Sequence, residues 1–234
     1  NCWTEQTTLW YKVSMTPIPD SDSDRPLDPA VMLALLESQQ DEVRRRLAAF
    51  VPWILGAWGV AWSVGFGLLW LIDGARPAVS VPLPIAAVVF TALIAGAIVV
   101  AALLGARSGR GIRSAPDARF TGTVFGVVGG GWFLSAGAFA SALVVNGMDS
   151  ALLNLYYPTM SGLIVGFMYA LAGGIWRIPA AIALGGWVVV VSLAAPFVGY
   201  PHHYLVFAFA GGLVFLLAAV VTKLRPHIAG GARG

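Results

Sequence analysis

The chain has 234 residues, 58% of them hydrophobic and 11% charged, with a formal net charge of +3 and one cysteine, Cys2. Soluble domains carry roughly 25% charged residues, so this composition cannot clothe a water-facing surface. The small net charge argues against nucleic-acid binding, and a lone cysteine excludes an internal disulfide or a thiolate metal cluster.

In chain order, residues 1–14 (NCWTEQTTLWYKVS) differ in character from the rest of the chain, and Met15 is a plausible second start. They read as an upstream extension. Residues 16–28 are rich in Pro, Ser and Asp and have little to bury, so 1–28 is expected to be a disordered N-terminal segment. No signal peptide is expected, because the first long apolar run begins near Phe50 and is too long for one. Asp28-Pro29 has the form of a helix start, a cap followed by proline in the first turn. Val31, Leu35, Val43 and Leu47 then recur at a four-residue spacing, with Gln39 interrupting the face. Residues 29–49 are predicted to form an amphipathic cytoplasmic helix, free to lie on the membrane or to pair with a partner helix. Pro52 predicts a bend before the next element.

Six apolar segments come next, near 51–72, 83–105, 121–145, 158–175, 178–198 and 204–222. Each is about 18–25 residues, enough to cross a hydrocarbon core of roughly 30 Å. None has Asp, Glu, Lys or Arg in its interior. The fold class expected is an all-α, polytopic transmembrane helix bundle. Its membrane domain covers 50–223 and its tail 224–234. The stretch Leu152 to Tyr157 reads as part of an outer loop resting at the interface, with Pro158 opening the fourth span. Gly173-Gly174 and Pro179 are expected to supply the turn between the fourth and fifth.

Orientation is read from the basic residues. Arg44, Arg45 and Arg46 precede the first span; Arg107, Arg110, Arg113 and Arg119 fill the second connection; Arg177 lies in the fourth and Lys223 in the tail. All of the 14 basic residues except Arg76 fall on alternate connections of one side. The positive-inside rule makes that side cytoplasmic and places both termini there. These arginines therefore set topology and meet lipid headgroups, and the expected location is the plasma membrane. Aromatic residues sit at several span ends, as headgroup anchors do, but Trp58, Trp62, Trp132 and Trp187 lie deeper and ask for another explanation.

Gly122, Gly126 and Gly130 recur every fourth residue in the third span, and Gly162 and Gly166 repeat the interval in the fourth. Such spacing lets backbones approach closely, either within the bundle or between two copies of the chain. The triplet Gly129, Gly130 and Gly131 could instead unwind mid-membrane and line a substrate path, as in transporters with broken helices. Span interiors otherwise hold mild hydroxyls such as Ser63, Ser141 and Ser192, and no histidine or carboxylate. His202 and His203 read as interfacial loop residues; a metal site there would need more donors than Asp73 and Asp149 provide. There is no serine–histidine–acid set, no phosphate-cradling loop ending in Lys-Ser/Thr, no HExxH and no CxxC. No metal site, cofactor or catalytic residue is expected, and the chain reads as a non-enzyme.

The run LLESQQDEVRRRL followed by GAWGVAWSVGFGLLWL resembles small, six-span, transporter-like integral membrane proteins of high-GC bacteria. The resemblance covers about 45 residues and implies a bacterial plasma-membrane protein, with no catalytic or binding residue to transfer. The functional expectation is a transporter-like protein or the membrane subunit of a larger complex. Its partners would be membrane lipid, further copies of itself, or a cytoplasmic protein such as a separate ATPase. The alternatives are a sensor or assembly factor without transport, and a lipid-modifying enzyme with His202 or His203 as its acid–base group.

Overall fold

The computed structural model describes residues 28–76, 78–108 and 116–225. The expected disordered segment 1–28, apart from Asp28, and the tail beyond Arg225 lie outside the described residues, as do Arg110 and Arg113. Tertiary contacts divide the chain into two compact units after Glu42. Helix α1 (Pro29–Ala48) begins as its sequence suggests: the Asp28 carboxylate accepts from the Ala30 N–H at 3.0 Å. Val31, Met32, Leu35 and Leu36 are exposed along it. The break before the next helix falls at Ala49-Phe50, and α2 starts at Val51 with Pro52 in its first turn, where a missing N–H costs nothing.

Six helices are long and apolar enough to cross a membrane. They are α2 (Val51–Asp73), α3 (Leu83–Ser108), α4 (Pro116–Val145), α5 (Ser150–Ile175), α6 (Pro179–Val198) and α7 (His203–Leu224). Successive helices run in opposite directions. One end of the bundle carries Arg107 and Lys223, and the other carries Asp73, Asn154 and Tyr200. Among the described residues there is no strand. This is the all-α, six-span bundle expected.

Helix α4 starts at Pro116, five residues before the expected 121, and α3 runs to Ser108, three past the expected 105; two further boundaries differ in kind. Helix α5 starts at Ser150, so Leu152 to Tyr157 is helix and not loop, and Pro158 sits inside it. Asp149 caps it, its carboxylate accepting from the Leu152 N–H at 2.7 Å. The turn after α5 is built at Trp176–Ile178, with Arg177 in the left-handed region (φ 53°) and the Ile178 N–H closing back on the Gly173 carbonyl at 2.7 Å. Gly173 and Gly174 remain helical.

The core lies among α2, α5, α6 and α7. Hydrocarbon side chains gain little by leaving lipid for protein, so packing shape must hold such a bundle together. Trp62 and Phe66 of α2 meet Phe207 and Phe215 of α7, with Trp62–Phe66 centroids 5.6 Å apart, Trp62–Phe215 5.4 Å and Phe66–Phe207 5.0 Å. Such ring pairs contribute about 0.5–1.5 kcal/mol each beyond burial. Helix α7 widens into a π-helical segment over Phe207–Leu213. Gly211 and Gly212 there admit α2: a Cβ on Gly212 would stand 2.6 Å from the Ser63 N. Two carbonyls of the widened segment take side-chain donors, Ala208 from Ser63 Oγ at 3.2 Å and Ala210 from Trp187 Nε1 at 2.7 Å.

Helices α3 and α4 flank this core, α3 reaching it through Phe90 and Ile94. Only 6% of each spanning window is buried, against 28–33% for the other four. Helix α3 packs chiefly on α2 and α4 on α5. Two bonds tie α4 to α5: Trp132 Nε1 donates to the Met160 carbonyl at 3.2 Å, and Tyr156 donates to the Ala136 carbonyl at 3.0 Å. The deep tryptophans are thereby explained. Trp62 and Trp58 serve the core, while Trp132 and Trp187 donate to neighbouring backbones.

Candidate functional site

The residues singled out by spacing separate into two groups. Gly162 and Gly166 lie at helix crossings. A Cβ on Gly162 would collide with Ser192 Oγ, and one on Gly166 would stand 2.8 Å from the Gly185 carbonyl and 2.9 Å from the Val189 N. The α4 residues behave otherwise. Cβ atoms on Gly122, Gly126, Gly130 and Gly131 would meet nothing within 4 Å, and one on Gly129 would meet only Met168 Cε at 3.9 Å. Helix α4 runs unbroken through Gly129–Gly131, so the triplet opens no backbone to a ligand. Arg44, Arg45 and Arg46 lie in α1, Arg107 in the last turn of α3 and Arg119 in the first turn of α4.

A polar cluster that the spacing did not reveal sits at the opposite end of the bundle. Asp73 ends α2 and pairs with Arg76 at 3.2 Å. Tyr200, in the α6–α7 connection, donates its hydroxyl to Asp73 Oδ2. The connection after α2 folds back on the helix end, with Arg76 Nε and Ser80 Oγ both donating to the Ile72 carbonyl, at 3.0 and 3.1 Å. Burial, the hydrogen bond to Asp73 and the Asp73 charge push the Tyr200 phenol up to about 12, with Arg76 opposing.

His203 is the second part of this cluster and a correction to the expectation of an interfacial residue. It opens α7 and is fully buried. Its Nε2 lies 3.1 Å from the Asn154 carbonyl of α5. A carbonyl only accepts, so Nε2 carries the proton. The partner is significant because Asn154 precedes Pro158 by four residues. Proline has no N–H, and the helix therefore leaves the Asn154 carbonyl without its ordinary donor. His203 supplies that donor from another helix. No described residue hydrogen-bonds its Nδ1. The Tyr204 ring lies beside it, tilted by 38°, with ring centroids 3.9 Å apart.

Chemically, this end is a set of polar groups, most of them paired with one another or with backbone, that fasten loops and helix ends. Among the described residues no three His, Cys, Asp or Glu side chains gather to hold a metal ion. His202 and His203, adjacent in sequence, diverge in role: His203 points into the protein and bonds backbone, as a structural donor does.

Comparison with protein-family models, with curated proteins and with solved structures finds no match for this chain. What it is emerges from its own six apolar helices and the way they pack: a multi-pass helical membrane protein.

Proposed function

We propose that this protein is the transporter-like membrane subunit of a larger assembly, resident in the bacterial plasma membrane, and that it carries out no enzymatic step of its own. The observation that carries this reading is the contrast between two glycine sets. Those of α5 are filled by α6 and α7, whereas those of α4 face open space in a helix of whose spanning window only 6% is buried. Glycines at a four-residue interval are suited to a helix arriving from another chain, a second copy or a partner. The aromatic filling among α2, α5, α6 and α7 argues in the same direction, since any polar path would have to form between chains. A cytoplasmic partner such as an ATPase would meet α1 or the arginine-bearing connections. The same filled core also supports a second reading, a sensor or assembly factor without transport.

The test is subunit counting by photobleaching in native-membrane nanodiscs. The wild-type chain is expected to appear with a second copy or a recurring partner, and Gly126→Leu with Gly130→Leu to leave folded single chains. Wild-type chains that are always solitary would sink the proposal.

The orientation is tested separately, with single cysteines in a Cys2→Ser background. Ala78→Cys should react with an impermeant maleimide in intact cells, and Ser108→Cys only after permeabilisation. The reverse pattern would overturn the assignment of both termini to the cytoplasm.

A further inference from the structure

A long open groove runs between α2 and α3 at the Arg107 end, with a volume of about 1030 Å³. It is as large as sites for whole small molecules, which span roughly 300–1,000 Å³. Ala57 and Ala61 from α2 and Ala92 and Gly96 from α3 supply the groove's small-residue floor, beside the larger Leu93, Val100, Leu103 and Leu104. Its mouth is formed by Trp53 and Arg107. Lys223 of α7 stands over the Trp53 ring, 5.3 Å from its centroid, so a second cation lies beside one of the residues that line the groove.

We propose that this groove is a binding site for one anionic glycerophospholipid, with an acyl chain along the small-residue floor and the phosphate at Arg107 and Lys223. Two observations carry it. The first is the pairing of an apolar trough with an end lined by Arg107 and with Lys223 over the Trp53 ring, which matches an amphiphile carrying one negative head and satisfies a zwitterionic one less well. The second is length. From Ala92 to Arg107 the lining runs about 22 Å along α3 at 1.5 Å per residue. One leaflet's hydrocarbon is about 15 Å deep, so the groove begins near the midplane and reaches the headgroup level.

The site is independent of the assembly proposed above, which concerns α4. Arg107 here has a role beyond orientation: it selects the charge of the headgroup, while Gly96 and Ala57 leave room for the tail.

The full chain in mild detergent, presented with dioleoylphosphatidylglycerol or dioleoylphosphatidylcholine, would be read by native mass spectrometry. One phosphatidylglycerol is expected to remain bound, with phosphatidylcholine retained about fivefold less, as one basic contact near a membrane surface implies. Arg107→Gln should remove most of that preference. Arg225→Gln, a cation at the same end outside the groove, should leave it intact. Gly96→Leu, which fills the floor, should lower retention of both lipids. Where Gly96→Leu does not yield a monodisperse protein, Ala57→Leu serves in its place, and Arg107→Gln decides the headgroup contact in either case. Equal retention of the two lipids, an Arg225→Gln loss as large as that of Arg107→Gln, or undiminished retention in the filled groove would overturn the proposal.

Discussion

Replacing His203 by leucine is expected to destabilise the bundle by about 1–3 kcal/mol, and much of that loss should vanish when Pro158 is replaced by alanine in the same chain. The reason is a single carbonyl. Pro158 deprives Asn154 of its helical donor, and His203 Nε2 restores one from α7 at 3.1 Å. Without the imidazole, the Asn154 oxygen is left in a low-dielectric setting with no donor, and the desolvation penalty falls on the folded state. Alanine at 158 brings back an N–H on the helix itself, which makes His203 dispensable. A double-mutant cycle of reversible unfolding in mixed micelles measures the coupling, expected at about 1 kcal/mol or more. Strictly additive single and double variants would show that the two residues do not share this carbonyl. Glutamine at 203, which keeps an N–H donor, should lie between wild type and leucine.

The second large effect separates glycines of equal appearance. Leucine at Gly166 or Gly185 is expected to cost about 3 kcal/mol or more, or to prevent folding, because overpacking here meets backbone that cannot step aside. A Cβ on Gly185 would stand 2.5 Å from the Gly166 carbonyl, and one on Gly166 2.8 Å from the Gly185 carbonyl. Helices α5 and α6 thus touch backbone to backbone at one crossing. Leucine at Gly122 or Gly126 should leave the stability of the single chain unchanged or raise it by up to about 1 kcal/mol, since glycine is the poorer helix former. The midpoint of the unfolding transition for each variant checks both statements. Equal losses at Gly166 and Gly126 would mean that α4 is packed as tightly as α5.

These two results bear on the assembly from different directions. The α5–α6 contact is needed for any folded chain, so its variants report only on the bundle. The α4 variants are expected to fold and to alter association alone. A loss of association without a loss of stability is the signature that distinguishes an interface between chains from a crossing within one.

The polar end of the bundle shows how misleading sequence neighbourhood can be. His202 and His203 form a pair in the chain, yet only His203 enters the protein. Its importance depends on Pro158 and on Asn154, 49 residues earlier, through a backbone atom that has no letter of its own. Tyr200 and Asp73 likewise belong to different connections. Nothing in the spacing of any of these residues brings them together. The boundary error at α5 has the same origin. Proline usually marks a helix start, and the rule failed at Pro158 because α7 satisfies the carbonyl that proline orphans.

That the chain forms six membrane-crossing helices was legible from the residues alone. Insertion depends on length and the absence of charge, both of which are sums over a local window. That residues from Pro29 form a helix, and that α2 starts at Val51, were legible for the same reason, since caps and prolines act within a few positions. Packing between helices was needed to settle which glycines are filled, which histidine is buried, and where α7 widens into a π-helical segment to admit Ser63 and receive Trp187. Those outcomes depend on which helix arrives at a given face, and two glycines with identical local surroundings differ only in whether another backbone lies within reach.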